Sequence, residues 1–412
     1  MKIMMLGRWL PIGRRKTDAT REQRLARQLA RTHQLTLAFV TDDPNPAGAV
    51  SAMRGEFGDL EFAVVTRGWK TLSSAVSLAT GSSATMAYAR SAALGTRLRD
   101  RLRVGAYDLI CVTSSSMIQY ALDAEPGMPI VMDFADVDSS WWTSQARERS
   151  FGANFYRTEA ARLRLAEQAM ARRAARSIVA SADAGRRVEA AGETPPMIVP
   201  SGVDAEHFIP ALRMPGIPAV LYVGALDGDA DVAAAGDILR ALAPAVRRRH
   251  AGARFLVAGR ALPSSARELT RIQGVEVSDG VADIRPLLHR ATLAVAPRPE
   301  GAGPQRALLE AMCTGLPLVT TTAAAASLGA RAGRDLLAEE TANDCTRPVI
   351  DLLGNPAQRA ELGGHAAAFV RARYAWDVTT ARLAEAVETV PVPAAHAAAR
   401  AGTPRVAGAD FA

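Results

Sequence analysis

The sequence predicts an α/β chain built from two doubly wound parallel sheets, and three observations carry that prediction. Short apolar runs recur along the chain and alternate with stretches of helical periodicity, as parallel strands joined by helical crossovers require. The alternation starts afresh near the middle, at AVLYVGALDGDADVAAA, after a proline-bearing stretch at 197–208. The length, 412 residues, exceeds what one ordinary core organises and suits two domains plus an extension.

In the first half, Lys2 to Leu6 reads as a strand, followed by the loop GRWLPIGRRKTDAT and a helix carrying Leu25 and Leu29. Only Gly13 remains of a glycine-rich loop, so no dinucleotide fingerprint is present there. Strands follow at 35–43 and 60–67, separated by the loop PNPAGAV, and residues 71–103 read as helices. The strand at 108–115 comes next, then PIVMDFADVDSSWW, a strand whose end carries Asp133, Asp136 and Asp138. Three carboxylates this close repel unless hydrogen-bonded, cation-paired or metal-bound, but the glycine and distal glutamate of a calcium loop are missing. Asp138 or Ser139 can also cap the next helix. A long amphipathic helix at 155–176 leads into the strand SIVAS at 177–181.

The second half repeats the scheme. Gly224 ends its first strand, Gly259 and Arg260 end the strand ARFLVAGR, and VEVSDG turns at Gly280. The segment 293–322, LAVAPRPEGAGPQRALLEAMCTGLPLVTTT, reads as strand, glycine-bearing loop, helix, turn and strand. Its loop lies at a strand's carboxyl end, where open α/β sheets bind ligands and a helix offers free N–H groups to an anion. Gly301 and Gly303 allow close backbone approach, and Glu310 stands polar among Leu308, Leu309 and Met312. Residues 336–388 read as helical, and the Pro-, Ala- and Gly-rich tail beyond 389 as disordered.

Composition bounds the function. With 49% hydrophobic and 22% charged residues, the chain resembles an ordinary globular protein. The net charge of +7 belongs to the first half, where residues 1–195 carry 27 Lys+Arg against 20 Asp+Glu. Arginines at 90–103 and 162–187 suit an anionic lipid or nucleic-acid surface, or simply solvated helix faces. No apolar run reaches the ~18 residues of a membrane span and no signal peptide is evident, so a cytoplasmic location is expected. Cys111, Cys313 and Cys345 follow no metal or disulfide spacing, so reduced thiols and no metal site are expected.

The string LLEAMCTGLPLVTT, with MIVPSGVDAEHF at 197–208 and YAWD at 374–377, resembles the family 4 glycosyltransferases. DFADVDS and the basic loop around Gly13 resemble their exopolysaccharide-associated (PEP-CTERM-system) branch. The resemblance implies two Rossmann-like domains facing a cleft, the GT-B fold: an acceptor domain at 1–195, a donor domain at 196–370, a helix at 371–388 crossing back, and the tail at 389–412. It implies a hexosyltransferase-type enzyme that moves a sugar, with retention, from a nucleotide-diphosphate sugar to a glycan or lipid-linked acceptor. Exopolysaccharide biosynthesis beside an anionic inner membrane is the implied setting, with no cofactor, metal or nucleic acid. By the same resemblance, Glu310 holds the donor's ribose, Val281 and Asp283 lie by the nucleobase, Gly13, Arg14 and Lys16 line the cleft, and Asp133 or Asp136 serves the acceptor.

Two departures stand out. The family's first glutamate is Ala302 here, leaving Glu300 as a displaced substitute, and the loop ALDGDADVA lacks the family's usual bases. Arg260, Arg298 and Arg306 are the nearest cations for the diphosphate, with Arg298 and Arg306 ranked first because of the strand end and the helix start. An epimerase of the same fold and a non-catalytic nucleotide-sugar-binding partner are the alternative readings.

Overall fold

A computed structural model describes residues 1–8, 20–65, 77, 81–104, 107–125, 127–135, 137–148, 152–192, 194–210, 216–224, 226, 228–259, 262–297 and 306–393. The chain forms two compact units: Met1–Pro200 joined by the chain from Thr380, and Ser201–Thr379.

The first unit is a seven-stranded sheet among the described residues: β1 (Lys2–Arg8), β2 (Gln34–Thr41), β3 (Asp59–Val64), β4 (Leu109–Val112), β5 (Ile130–Ala135), β6 (Arg176–Val179) and β7 (Met197–Ile198). Their spatial order is β3-β2-β1-β4-β5-β6-β7, and every pairing is parallel. β1 shows why. Ile3, Met4, Met5 and Leu6 are all buried, as a strand covered on both faces demands. Met4 and Leu6 join one core with Leu94, Leu98 and Met170, while Ile3 and Met5 join the other with Leu25, Leu29 and Met53. The helix Trp376–Glu388 adds Leu383, Ala384 and Val387 to this second core, so the chain returns to its first unit.

The second unit repeats the winding with β8 (Ala219–Tyr222), β9 (Arg254–Ala258), β10 (Val275–Ser278), β11 (Leu293–Ala296), β12 (Leu318–Thr321) and β13 (Leu337–Glu339). The order is β10-β9-β8-β11-β12-β13, again parallel. Val220, Tyr222, Leu293 and Val295 face the helix Asp229–Arg249, and Leu221, Ala294 and Ala296 face Leu308, Leu309 and Met312. In both units the winding reverses between the first and fourth strands, β1 and β4 or β8 and β11, which sets a switch point at their carboxyl ends. The expected α/β class of two doubly wound sheets holds.

Three local expectations do not. Ala47–Phe57, read partly as loop, is a helix whose two glycines weaken the periodic signal; Val50 and Met53 anchor it to the core. Met197–Ile198, in the proline-bearing stretch at 197–208 to which the sequence gives no strand, pairs with β6 as an edge strand. Leu337–Glu339, read within a helical region, is a three-residue strand on β12, too short to show a period. The three cysteines are free and buried. Among the described residues no helix is long and apolar enough to cross a membrane. The tail from 394 onward lies outside the described residues.

Candidate functional site

Each switch point assembles polar groups on a rigid apolar sheet, and they do so differently. In the first unit the assembly starts at Thr20, which caps the helix Arg21–Ala30. Its hydroxyl accepts from the Gln23 N–H, and the Gln23 carboxamide oxygen accepts from the Thr20 N–H. That reciprocal cap fixes Arg21 at the helix start, where its guanidinium grips Asp133 with two bonds, Nε–Oδ2 2.8 Å and Nη2–Oδ1 3.0 Å. Nη1 donates to the Val199 carbonyl at 2.7 Å. Both side chains are buried, at 7% and 2% exposure.

Asp133 Oδ1 also accepts from the Ala135 N–H, and the pairing of β5 with β6 shifts register between these residues. Ala135 takes φ +50, a conformation that residues with a Cβ adopt at a cost. The sequence-selected Asp133 is therefore an anchored acid, committed to Arg21, at the end of a bulged strand. Asp136 lies outside the described residues, as do Gly13, Arg14 and Lys16.

Two further carboxyls surround this pair, and the sequence reading did not single them out as site residues. Glu22 is pushed up to about 8, first by burial and then by Asp133 and Asp138. Glu167, 3% exposed on the helix Ala153–Arg173, accepts from the Ser115 hydroxyl and the Ser139 N–H at 3.1 Å each. Among the described residues its Oε2 has no hydrogen-bond partner, and burial pushes the carboxyl up to about 7. Glu167 thus ties the loop after β4 to the helix Asp138–Glu148 after β5. Glu159, about two turns earlier on the same helix, accepts from Ser83 Oγ and from the Ala84 and Thr85 N–H groups, so it caps the helix Ala84–Tyr88. No short-range sequence signal marks these bonds, because the partners lie 28 to 76 residues apart.

The second unit's switch point is built from backbone. The loops after β9 and β10 are laced together: Val281 N–H donates to the Gly259 carbonyl at 3.0 Å, and Asp279 accepts from the Leu262 and Gly280 N–H groups at 2.8 Å each. Gly280 sits at φ +69, which a turn of this kind asks of glycine. Gly224 follows β8 with the Tyr222 ring folded so close that an added Cβ would meet it at 3.0 Å. Asp283 is held by Arg285, whose side chain bonds it at 2.6 to 3.1 Å and depresses its pKa to about 2. It is an exposed acid with its charge already matched.

Beyond β11 the helix Arg306–Cys313 begins. Arg306 Nε donates to Glu310 Oε1 at 2.6 Å; the arginine is 70% exposed, the glutamate 12%. The helix stops at Gly315 (φ +68), whose carbonyl lies so near Gly363 that a Cβ there would come within 2.2 Å of it. Gly363 thus lets the helix Pro356–Tyr374 press against this turn and seat the helix that carries Arg306 and Glu310. Arg260, Arg298, Glu300, Gly301 and Gly303 lie outside the described residues. Of the donor-side selections, Gly224, Gly259, Val281, Asp283, Arg306 and Glu310 all lie on loops or helix starts that follow strands of this sheet.

Residues 217–355, which hold nearly all of this sheet and its strand-end loops, match the model of the family "Glycosyl transferases group 1". The second unit thus carries a segment similar to the glycosyltransferases of that group. The expected enzyme class, a glycosyltransferase, therefore stands, and the motif around Glu310 lies inside the matched segment. No curated protein sequence matches the chain. Among solved structures, HepE of Anabaena in complex with UDP is similar over 94% of this chain and 100% of its own, at 15% identity and a TM-score of 0.62. Sucrose-phosphate synthase of Thermosynechococcus elongatus is similar over 93% and 98%, at 14% identity and 0.58. WaaG, a glycosyltransferase involved in lipopolysaccharide biosynthesis, is similar over 94% and 100%, at 18% identity and 0.55. These likenesses show the GT-B fold.

Proposed function

We propose that this chain is a retaining glycosyltransferase that moves a sugar from a nucleotide-diphosphate donor to a glycan or lipid-linked acceptor, in exopolysaccharide assembly at the inner face of the membrane. The observation that carries the reading is the Arg306–Glu310 helix start after β11, at the switch point of a glycosyltransferase domain. A structural neighbour solved with UDP and glucose supports the donor class. In this reading Glu310 accepts from the ribose hydroxyls. Arg306, mostly exposed and free to swing from Glu310, meets the diphosphate together with the free N–H groups of the helix's first turn. The departing diphosphate gains charge as the sugar leaves, so these donors act most in the transition state, and no metal is required. On the acceptor side, Asp133 works through Arg21 and β5, shaping the edge on which the acceptor rests.

The test is a thermal-shift screen against UDP-, GDP- and ADP-sugars. The cognate donor at ~100 times its Kd should add about 2.7 kcal/mol of stability. Glu310→Gln should weaken that donor by about 1 to 3 kcal/mol in calorimetry. No shift with any donor overturns the reading. One observation favours a second reading, a nucleotide-sugar-binding subunit without turnover: the loop Gly224–Gly228 carries no Lys or Arg to meet the diphosphate. Donor binding without sugar transfer or donor hydrolysis would select it.

A further inference from the structure

The arginines on two helices of the first unit differ in their partners. Three of the four on the helix Ala92–Val104 pair with carboxylates: Arg97 with Glu61 at 2.8 Å, Arg101 with Glu61 at 2.7 Å and Asp59 at 2.5 Å, and Arg99 with Asp123 at 3.5 Å. The helix Ala153–Arg173 is different. Its inner face buries Glu159, Leu163, Glu167 and Met170, and its outer face exposes Arg157, Arg164, Leu165 and Arg172 at helical spacing. Among the described residues none of these three arginines has a carboxylate partner; Arg157 bonds Asn154 and Arg164 bonds Thr143. From Asn154 to Arg172 the exposed positions include no acid. The stripe from Arg157 to Arg172 runs about 22 Å at the rise of an α-helix.

Apolar surface accompanies this charge. Leu165 is 66% exposed and Trp141 56%. Trp141 stands edge-on to Trp142 at 5.0 Å, and Trp142 packs on Tyr156 at 5.4 Å and Phe155 at 6.1 Å. The residue after Tyr156 is Arg157, so this rigid aromatic stack ends beside the start of the arginine stripe. A soluble chain gains nothing from holding Trp141 and Leu165 in water beside unpaired arginines.

We propose that this outer face of the helix Ala153–Arg173, with Trp141, docks on an anionic lipid bilayer. Charge complementarity selects the occupant: three unmatched guanidiniums with no acid between them suit lipid phosphates. Trp141 and Leu165 separate a bilayer from a soluble polyanion, because an indole and an aliphatic side chain gain free energy at the headgroup boundary and none on a phosphate chain. The inference deepens the proposed lipid-linked acceptor, and rests on that reading for its purpose, by naming the surface that would hold the enzyme where such an acceptor lies. The docking is measured without donor, so the two ideas fail separately.

The experiment is flotation of the full chain with vesicles of phosphatidylcholine containing about 30 mol % phosphatidylglycerol, and with phosphatidylcholine alone. The variant Arg157→Gln/Arg164→Gln/Arg172→Gln is compared with Arg240→Gln/Arg334→Gln/Arg347→Gln, which removes the same charge from exposed positions of the second unit. Wild type should float with anionic vesicles and stay behind with neutral ones. The stripe variant should partition roughly a hundredfold less, and the control variant within about threefold of wild type. Trp141→Ala should lose several-fold, a loss that persists when salt screens the arginines. Should the triple variant melt early, each single stripe variant, expected to lose about fivefold, carries the same test. Equal losses in the two triple variants, equal binding to neutral vesicles, or release by soluble polyphosphate with no effect of Trp141→Ala would each overturn the proposal.

Discussion

Each unit sets an arginine against a carboxylate at its switch point, yet the two pairs have opposite characters. Arg21 and Asp133 are 112 residues apart, buried at 7% and 2%, and joined by two bonds. Arg306 and Glu310 are one helical turn apart, with the arginine 70% exposed and a single bond between them. The first pair holds the helix after β1 to the end of β5 and anchors the edge of a sheet. The second needs only a helix to form, and its mostly exposed arginine can turn to a ligand at little cost. A buried, over-determined pair builds a scaffold, whereas a local pair with a solvated arginine keeps that cation available.

Breaking the first pair should have the largest effect. Arg21→Ala or Asp133→Ala leaves a buried charge without its partner, so each should destabilise the first unit by about 3 to 5 kcal/mol in urea unfolding. Replacing both, as Arg21→Met/Asp133→Leu, should recover much of that loss, because the desolvation penalty leaves with the charges. If the double variant is no better than either single one, Arg21 acts mainly through its bond to the Val199 carbonyl.

The carboxyls around that pair sharpen the comparison through pH. Burial raises Glu167 from the usual 4.5 to about 7, and Glu22 to about 8. For an acid whose folded pKa is raised, the folded state binds the proton more tightly than the unfolded chain. Its stabilisation is complete below about pH 4.5 and fades as pH rises through 7 to 8. The first unit should therefore lose up to about 3 kcal/mol through Glu167 across that window. Glu167→Gln keeps a neutral side chain there and should flatten the dependence. A midpoint of denaturation that is level from pH 5 to 8 in the wild type would contradict the assignment.

The same contrast explains what could be read from the sequence. Strands β1, β4, β8 and β11 announce themselves as apolar runs because both faces of a parallel sheet are covered. Their alternation with helices sufficed for the fold class, and the helix with Arg306 and Glu310 is legible because both residues and their spacing lie within one turn. Arg21 and Asp133 are visible as residues but not as a pair, since nothing local ties position 21 to position 133. Glu167 looks like any polar residue of an amphipathic helix until Ser115 and Ser139 close around it. The helix Ala47–Phe57 and the short strands β7 and β13 owe their form to neighbours in the sheet and core, and tertiary context overrode their weak local signals.

The smallest effect expected is on the stability of the second unit. A helical pair at i, i+4 contributes about 0.3 to 0.5 kcal/mol, and with the arginine 70% exposed Arg306→Ala should shift the unfolding free energy by about that much. A double-mutant cycle with Glu310→Gln should return a coupling of similar size for folding. For the cognate donor the outcome should differ. In the proposed reading Arg306, largely exposed, leaves Glu310 for the diphosphate, a partner it gains only when the nucleotide is bound. Arg306→Ala should then lower kcat by about 10² while changing KM less, the signature of a contact that strengthens as the leaving group gains charge. The informative comparison is between the two measurements on one variant. A folding loss above about 1 kcal/mol with unchanged turnover would make Arg306 a structural partner of Glu310, alike in kind to Arg21. Near-neutral stability with a hundredfold loss of turnover would place the working charge of this enzyme in the solvated pair.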